Sequence, residues 1–149
     1  MIPFQSKATR LLSALYLRHL TDFIVHAVHK VGLSVDEVAI ISLVAAENTR
    51  SLIDDTNLAL EFGREDDALP TELRRPVSLR FIYSSLGMNR ETARRRLNAI
   101  VARNLLLKVK GGFVFPPQTG SSDYTEDLRA FVFEKLDDMV AKAAQLRSR

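Results

Sequence analysis

Between Asn89 and Arg96 the chain reads Asn-Arg-Glu-Thr-Ala-Arg-Arg-Arg, four arginines in eight residues. A guanidinium stays charged at any physiological pH and offers a planar fork of donors, so a surface bearing several of them suits a polyanion rather than acid–base work. No other stretch assembles a reaction centre. The chain has no cysteine, which removes thiolate chemistry and disulfides. His19, His26 and His29 are the whole histidine set, and only Asp22 stands near them in sequence, so no metal site is expected. Asp54-Asp55 and Asp66-Asp67 are adjacent pairs, and adjacent residues on a helix point in different directions. There is no phosphate-binding glycine loop and no nucleophile elbow. The sequence therefore reads as a non-enzyme that needs no cofactor.

The formal net charge is only +3, but its distribution is uneven. Residues 71–120 carry ten Arg or Lys against two Glu, and residues 36–69 carry nine Asp or Glu against two Arg. Such a layout suits a protein that presents one basic face to a polyanion while its other surfaces repel it. Solvated charge blocks with no partner are the plainer reading of the same pattern.

With 149 residues, 46% hydrophobic and with few glycines or prolines, the chain is expected to be mainly α. From Ser6 to about Val31 the apolar residues Leu11, Leu12, Leu15, Leu20, Phe23, Ile24, Ala27, Val28 and Val31 follow helical spacing, with a possible break at Leu20–Asp22. Gly32 is placed to end this helix, and Ser34 with Glu37 has the spacing of a capping box. A densely apolar helix, buried on more than one side, is expected from Asp36 to about Asn48. Another is expected over Arg50–Phe62, with Leu52, Ile53, Thr56 and Leu60 inward. Residues 63–76, bounded by Gly63 and Pro76 and containing Glu65, Asp66 and Asp67, read as an acidic surface connector with a short helical turn after Thr71.

After Pro76 the pattern becomes specific. Ser78 is positioned to cap a helix over Leu79–Ser85 with Leu79 and Ile82 inward. Gly87 allows a turn, and Asn89 is positioned to cap a second helix over 90–103. In that helix Ala93, Leu97, Ile100 and Val101 form the inward stripe and Arg90, Arg94, Arg95 and Asn98 lie outward. Leu105–Lys110 and Phe113–Phe115 alternate as two short strands, with Gly111-Gly112 as the expected two-residue turn. Two helices across a three-residue turn, followed at once by a hairpin, have the order of a winged helix-turn-helix.

The segment from Ser78 to Leu97, followed by Leu105 to Phe115, resembles the DNA-binding unit of bacterial winged helix-turn-helix transcriptional regulators. It is locally similar to the catabolite-activator type, with its capped Arg-Glu-Thr opening and an arginine one turn later. The likeness covers about a quarter of the chain and does not extend to that type's effector domain, since no β-roll precedes it. What the resemblance implies is sequence-specific binding of double-stranded DNA and regulation of transcription, with helix 90–103 in the major groove. Arg90, Glu91 and Arg95 would contact base edges, the arginines at guanine and Glu91 at cytosine N4. Ser78, Arg80, Thr92, Arg94 and Arg96 would contact phosphates, and Lys108 and Lys110 would contact the flanking duplex from the wing. Tyr83 departs from the pattern, standing where the family carries a small residue at a close helix crossing.

Asp123 with Glu126 repeats the capping-box spacing, and Leu128, Phe131, Val132, Leu136, Met139, Val140, Ala143 and Leu146 draw an apolar stripe along a C-terminal helix of about seven turns. That stripe serves either an intrachain core or dimerisation, and a homodimer would read an inverted repeat. The expected organisation is a scaffold or dimerisation helix over 1–35, the winged-helix region over 36–119 and a second scaffold helix over 120–149. The opening Met1–Thr9 has no apolar signal core and no membrane span is visible, which makes the cytoplasm the expected location. A small-molecule effector between the long helices has no residue pattern to support it. Two alternative functions fit the same pattern: a winged helix used as a protein-interaction module, and non-specific nucleic-acid binding.

Overall fold

Most helices begin where a short polar side chain can take up their first free N–H groups. In a computed structural model, which describes residues 9–63, 69–117 and 123–147, the chain is mainly helical with one small antiparallel sheet. Helix α1 spans Thr9–His26 and continues through a widened turn at Ala27–Val31. Gly32 ends it in the left-handed region at φ 76°. The helix runs unbroken through Leu20–Asp22, so the irregularity expected there lies one to two turns later. The expected start at Ser6 lies outside the described residues.

Helix α2, Val35–Asn48, opens with both halves of the capping box: the Ser34 hydroxyl accepts from the Glu37 N–H, and the Glu37 carboxylate accepts from the Ser34 N–H. It buries Val38, Ile40, Ile41, Val44 and Asn48, which spread around more than one side of the helix. The expected single helix over Arg50–Phe62 is instead two, α3 (Arg50–Asp54) and α4 (Thr56–Phe62). Asp55 is the cause: its Oδ1 accepts the N–H groups of Asn57 and Leu58, restarting the helix in a new phase. One inward stripe cannot survive that break, and Ile53 and Leu60, expected inward, are 77% and 79% exposed. Thr56 is exposed as well, while Leu52 is half-buried.

Helices α5 (Leu79–Leu86) and α6 (Arg90–Ala102) are followed by strands β1 (Leu107–Val109) and β2 (Gly112–Val114), and α7 spans Asp123–Arg147. The order of helix, helix and hairpin is compatible with a winged-helix-type architecture. Asp123, expected as a cap, is the first residue of α7. The hairpin pairs Leu107 with Val114, Lys108 with Phe113 and Val109 with Gly112. Its two turn residues are therefore Lys110 and Gly111, one position earlier than the expected Gly111-Gly112. Gly112 is needed for another reason. Val77 exchanges two backbone hydrogen bonds with Phe113, each 2.9 Å, and a Cβ on Gly112 would stand 2.2 Å from the Val77 carbonyl oxygen.

The described residues form two compact units. One comprises Ser34–Glu126, the other the chain up to Leu33 together with the chain from Asp127. In the first, Val38, Ile40, Val44, Val77, Ile82, Ala93, Leu97, Ile100, Leu105, Leu106, Phe113 and Val114 are buried. Asn48 and Thr125 are buried polar residues of the same unit, and Asn48 has a structural task. Its Nδ2 donates to the Arg75 carbonyl at 2.6 Å and its Oδ1 accepts from the Phe115 N–H at 2.7 Å, fastening α2 to the chain on either side of the α5–β2 segment. In the other unit, α1 and α7 run antiparallel. No described helix is long and apolar enough to cross a membrane.

Candidate nucleic-acid interface

The placement of α6 follows from the chemistry at its two ends and at the end of α5. The Ser78 hydroxyl accepts from the Phe81 N–H and starts α5. Gly87 ends it at φ 62°, with its own N–H and that of Met88 both directed to the Tyr83 carbonyl. Asn89 then accepts from the Glu91 N–H through Oδ1 and opens α6 three residues after α5 closes. Ala93, Leu97 and Ile100 seat α6 in the core, and Val101 is half-buried beside them. At ~100° per residue, Arg90, Glu91, Arg94, Arg95 and Asn98 fall within an arc of about 140° opposite the buried stripe. All five are exposed.

Within this arc the charges are partly organised already. The Arg94 guanidinium grips the Glu91 carboxylate with two bonds, Nε to Oε2 at 2.9 Å and Nη2 to Oε1. That hydrogen-bonded contact holds the Glu91 carboxyl below its ordinary range, with Arg94, Arg95 and Arg90 adding Coulombic attraction. It raises the Arg94 guanidinium correspondingly. Both oxygens of Glu91 are thus engaged by its own helix, each with one lone pair left to accept from another donor. Arg90 and Arg95 project from the same arc on either side of the clasped pair.

The remaining sequence-predicted contacts divide by exposure. Arg80 and Ser78 are exposed at the start of α5, while Thr92 is half-buried. Arg96 is also half-buried, and its Nε is enclosed without a hydrogen-bond partner, so it sits on the flank of α6 rather than on the arginine face. Lys108 lies exposed on β1 and Lys110 is exposed in the turn. Tyr83 is half-buried. Beyond α6, the Arg103 guanidinium lies over the Tyr124 ring, 4.9 Å from its centroid.

In the other unit, the candidate dimerisation residues separate into two sets. Leu128 is buried, Met139 is half-buried, and the Phe131 ring stacks on His26 at 4.2 Å and stands 6.4 Å from Phe23. Val132, Leu136 and Val140 are exposed. Sequence reasoning did not find the carboxylates that partner two histidines: His19 Nε2 lies 2.9 Å from Asp138 Oδ2, and His26 Nε2 lies 2.6 Å from Asp127 Oδ2. Residues more than a hundred positions apart leave no signal in local spacing. The Asp138 carboxyl is held below its ordinary range chiefly by a hydrogen bond from Lys142, which outweighs the opposing effect of burial, with lesser help from the Lys142 charge and from His19. No cluster of three or more metal-ligating side chains occurs among the described residues. No family model matches the chain, and neither curated proteins nor solved structures provide a match.

Proposed function

We propose that the protein binds double-stranded DNA sequence-specifically and regulates transcription, with α6 as the recognition helix of a winged helix-turn-helix. One observation carries the reading. An exposed arginine face on α6 stands opposite its buried stripe, three residues after α5, and a hairpin with exposed Lys108 and Lys110 follows. An α-helix fits the major groove of B-DNA, where an arginine fork can take guanine O6 and N7 together. Arg90 and Arg95 are the base-reading residues in this proposal. Arg94, Arg80 and Ser78 contact phosphates, with Thr92 and Arg96 at the edge of the footprint, and the two wing lysines reach the flanking backbone. Glu91 orients Arg94 and accepts from cytosine N4 through a remaining lone pair.

The protein acts in this reading as a cytoplasmic homodimer on an inverted repeat, which sets two α6 helices about one DNA turn apart. The test is selection from a random duplex library at near-physiological salt. Enrichment of one motif with two symmetric halves is expected. Retention of duplexes without any enriched motif would refute base reading and leave phosphate attraction alone.

A further inference from the structure

The α1–α7 hairpin has more apolar surface than its own pairing uses. Set by the His19–Asp138 and His26–Asp127 pairs, the antiparallel register brings Leu17 level with Val140, Leu20 level with Leu136 and Ile24 level with Val132. On each helix these residues wind from roughly 65° to 150° around from the buried side that faces the other helix, at ~100° per residue. In an antiparallel pair, equal rotations of that sense bring both stripes to the same side of the hairpin. The result is one continuous face two helices wide and three layers long. It is open: Tyr16 and Leu17 are 59% exposed, Leu20 42%, Val132 45%, Leu136 50% and Val140 61%.

We infer that this face is the seat of a second copy of the chain, and that the two hairpins close into an antiparallel four-helix bundle with α1 of each copy against α7 of the other. This rests on the dimeric part of the reading above and gives it a surface, one that includes α1 residues and excludes Leu128 and Phe131. Charge favours α7 as the partner of α1. In the described chain α1 and its final turn carry Arg10, Arg18 and Lys30 against Asp22. Between Asp127 and Asp138, α7 carries Asp127, Glu134, Asp137 and Asp138 against Arg129 and Lys135. A two-fold axis parallel to the helices sets each basic helix over an acidic one, keeps neighbours antiparallel, and brings Leu20 opposite the partner's Leu136. The size is adequate. With roughly 200 Å² for a large side chain, six half-exposed residues offer about 600 Å² per copy, and two copies reach the lower end of the ~1,200–2,000 Å² of stable interfaces. An apolar face of about 600 Å² stands at the upper end of what ordinary monomers expose, where such patches are often functional.

Sedimentation of the 149-residue chain without DNA tests the inference. A dimer is expected at micromolar concentration, and Leu20→Glu or Leu136→Glu should render it monomeric with unchanged helical circular dichroism. The natural chain has no cysteine, so mixing Leu20→Cys protein with Leu136→Cys protein and adding a short thiol cross-linker reads the register directly, and does so even if the glutamate variants fail to fold. A mixed 20–136 product in excess over either homodimeric product supports the bundle. A monomeric wild type, open-ended association, or a dominant 20–20 product would overturn it. Because DNA is absent, the two readings fail separately: a monomer that still selects a motif sinks only this face, and a dimer that selects none sinks only the DNA reading.

Discussion

Replacing Asn48 with alanine should loosen the region that supports the hairpin while leaving every exposed arginine in place. The Asn48 amide donates to the Arg75 carbonyl at 2.6 Å and accepts from the Phe115 N–H at 2.7 Å, in a residue only 4% exposed. Its longer approach to the Phe113 carbonyl, 3.5 Å, adds little. Alanine removes both short bonds, each contributing roughly 1 kcal/mol net, and strands partly buried backbone groups at a further ~1–3 kcal/mol. The loss should come to about 3–5 kcal/mol, on the order of 6–20 °C in melting temperature for a chain of this size. Urea unfolding followed by far-ultraviolet circular dichroism reads it as a lowered midpoint at unchanged slope. Asn48→Asp is the informative companion, since it keeps the acceptor, loses the donor and buries a charge, and it should be at least as damaging. A change below about 0.5 kcal/mol for Asn48→Ala, the range of ordinary surface substitutions, would refute the assignment of Asn48 as the fastening between α2 and the two flanking segments.

Three further outcomes are expected. Gly112→Ala places a Cβ 2.2 Å from the Val77 carbonyl oxygen at a φ of 146°, so it should destabilise by more than 2 kcal/mol, on the order of a strained core substitution, measured in the same urea experiment; Gly32→Ala, with open space around its Cβ, should show only the smaller strain of its left-handed backbone. Glu91→Gln removes a negative charge from the arginine face and weakens its hold on Arg94, so affinity for mixed-sequence duplex should rise; unchanged affinity in anisotropy titrations would show that this face does not lie against the phosphates. The Asp138 carboxyl, lowered by Lys142 and His19, should titrate below the ordinary 3.8 in carbon-detected NMR. A depressed carboxylate contributes stability that is present above the unfolded-state pKa and is lost as pH falls through the folded one, so Asp138→Asn should flatten the acid limb of the stability curve.

Features encoded within four residues are legible in the sequence. Ser34 with Glu37, Ser78, Asn89, Gly32 and Gly87 all act on backbone groups of their own turn, and spacing alone identifies such chemistry. The inward stripe of α6 was equally legible, because helical periodicity fixes which residues share a face. Features set by distant chain were not. The hairpin turn sits one residue from its expected place because Gly112 is reserved for the crossing of Val77, thirty-five positions away in sequence. The expected helix over Arg50–Phe62 breaks because Asp55 chooses to cap, a competition that an apolar pattern does not record. Asn48 and the two histidine–aspartate pairs bond across 27 to 119 residues, where spacing carries no information. At the candidate interface the residue types were readable from sequence, but the state of Glu91 was not, since its clasp with Arg94 depends on the rotamers both side chains adopt.

The most direct test of DNA reading by α6 is a comparison of base preferences between wild type and Arg95→Ala, each selected in parallel from a random duplex library. Arg95 is exposed and supplies neither hydrogen bond of the Glu91 clasp, so its removal should leave folding intact. Wild type should enrich a motif with a fixed guanine in each half, and the variant should relax preference at that position alone, losing about 1–3 kcal/mol of discrimination there. Equal preferences at every position, or a uniform loss of affinity across all sequences, would contradict the assignment of Arg95 to a base edge.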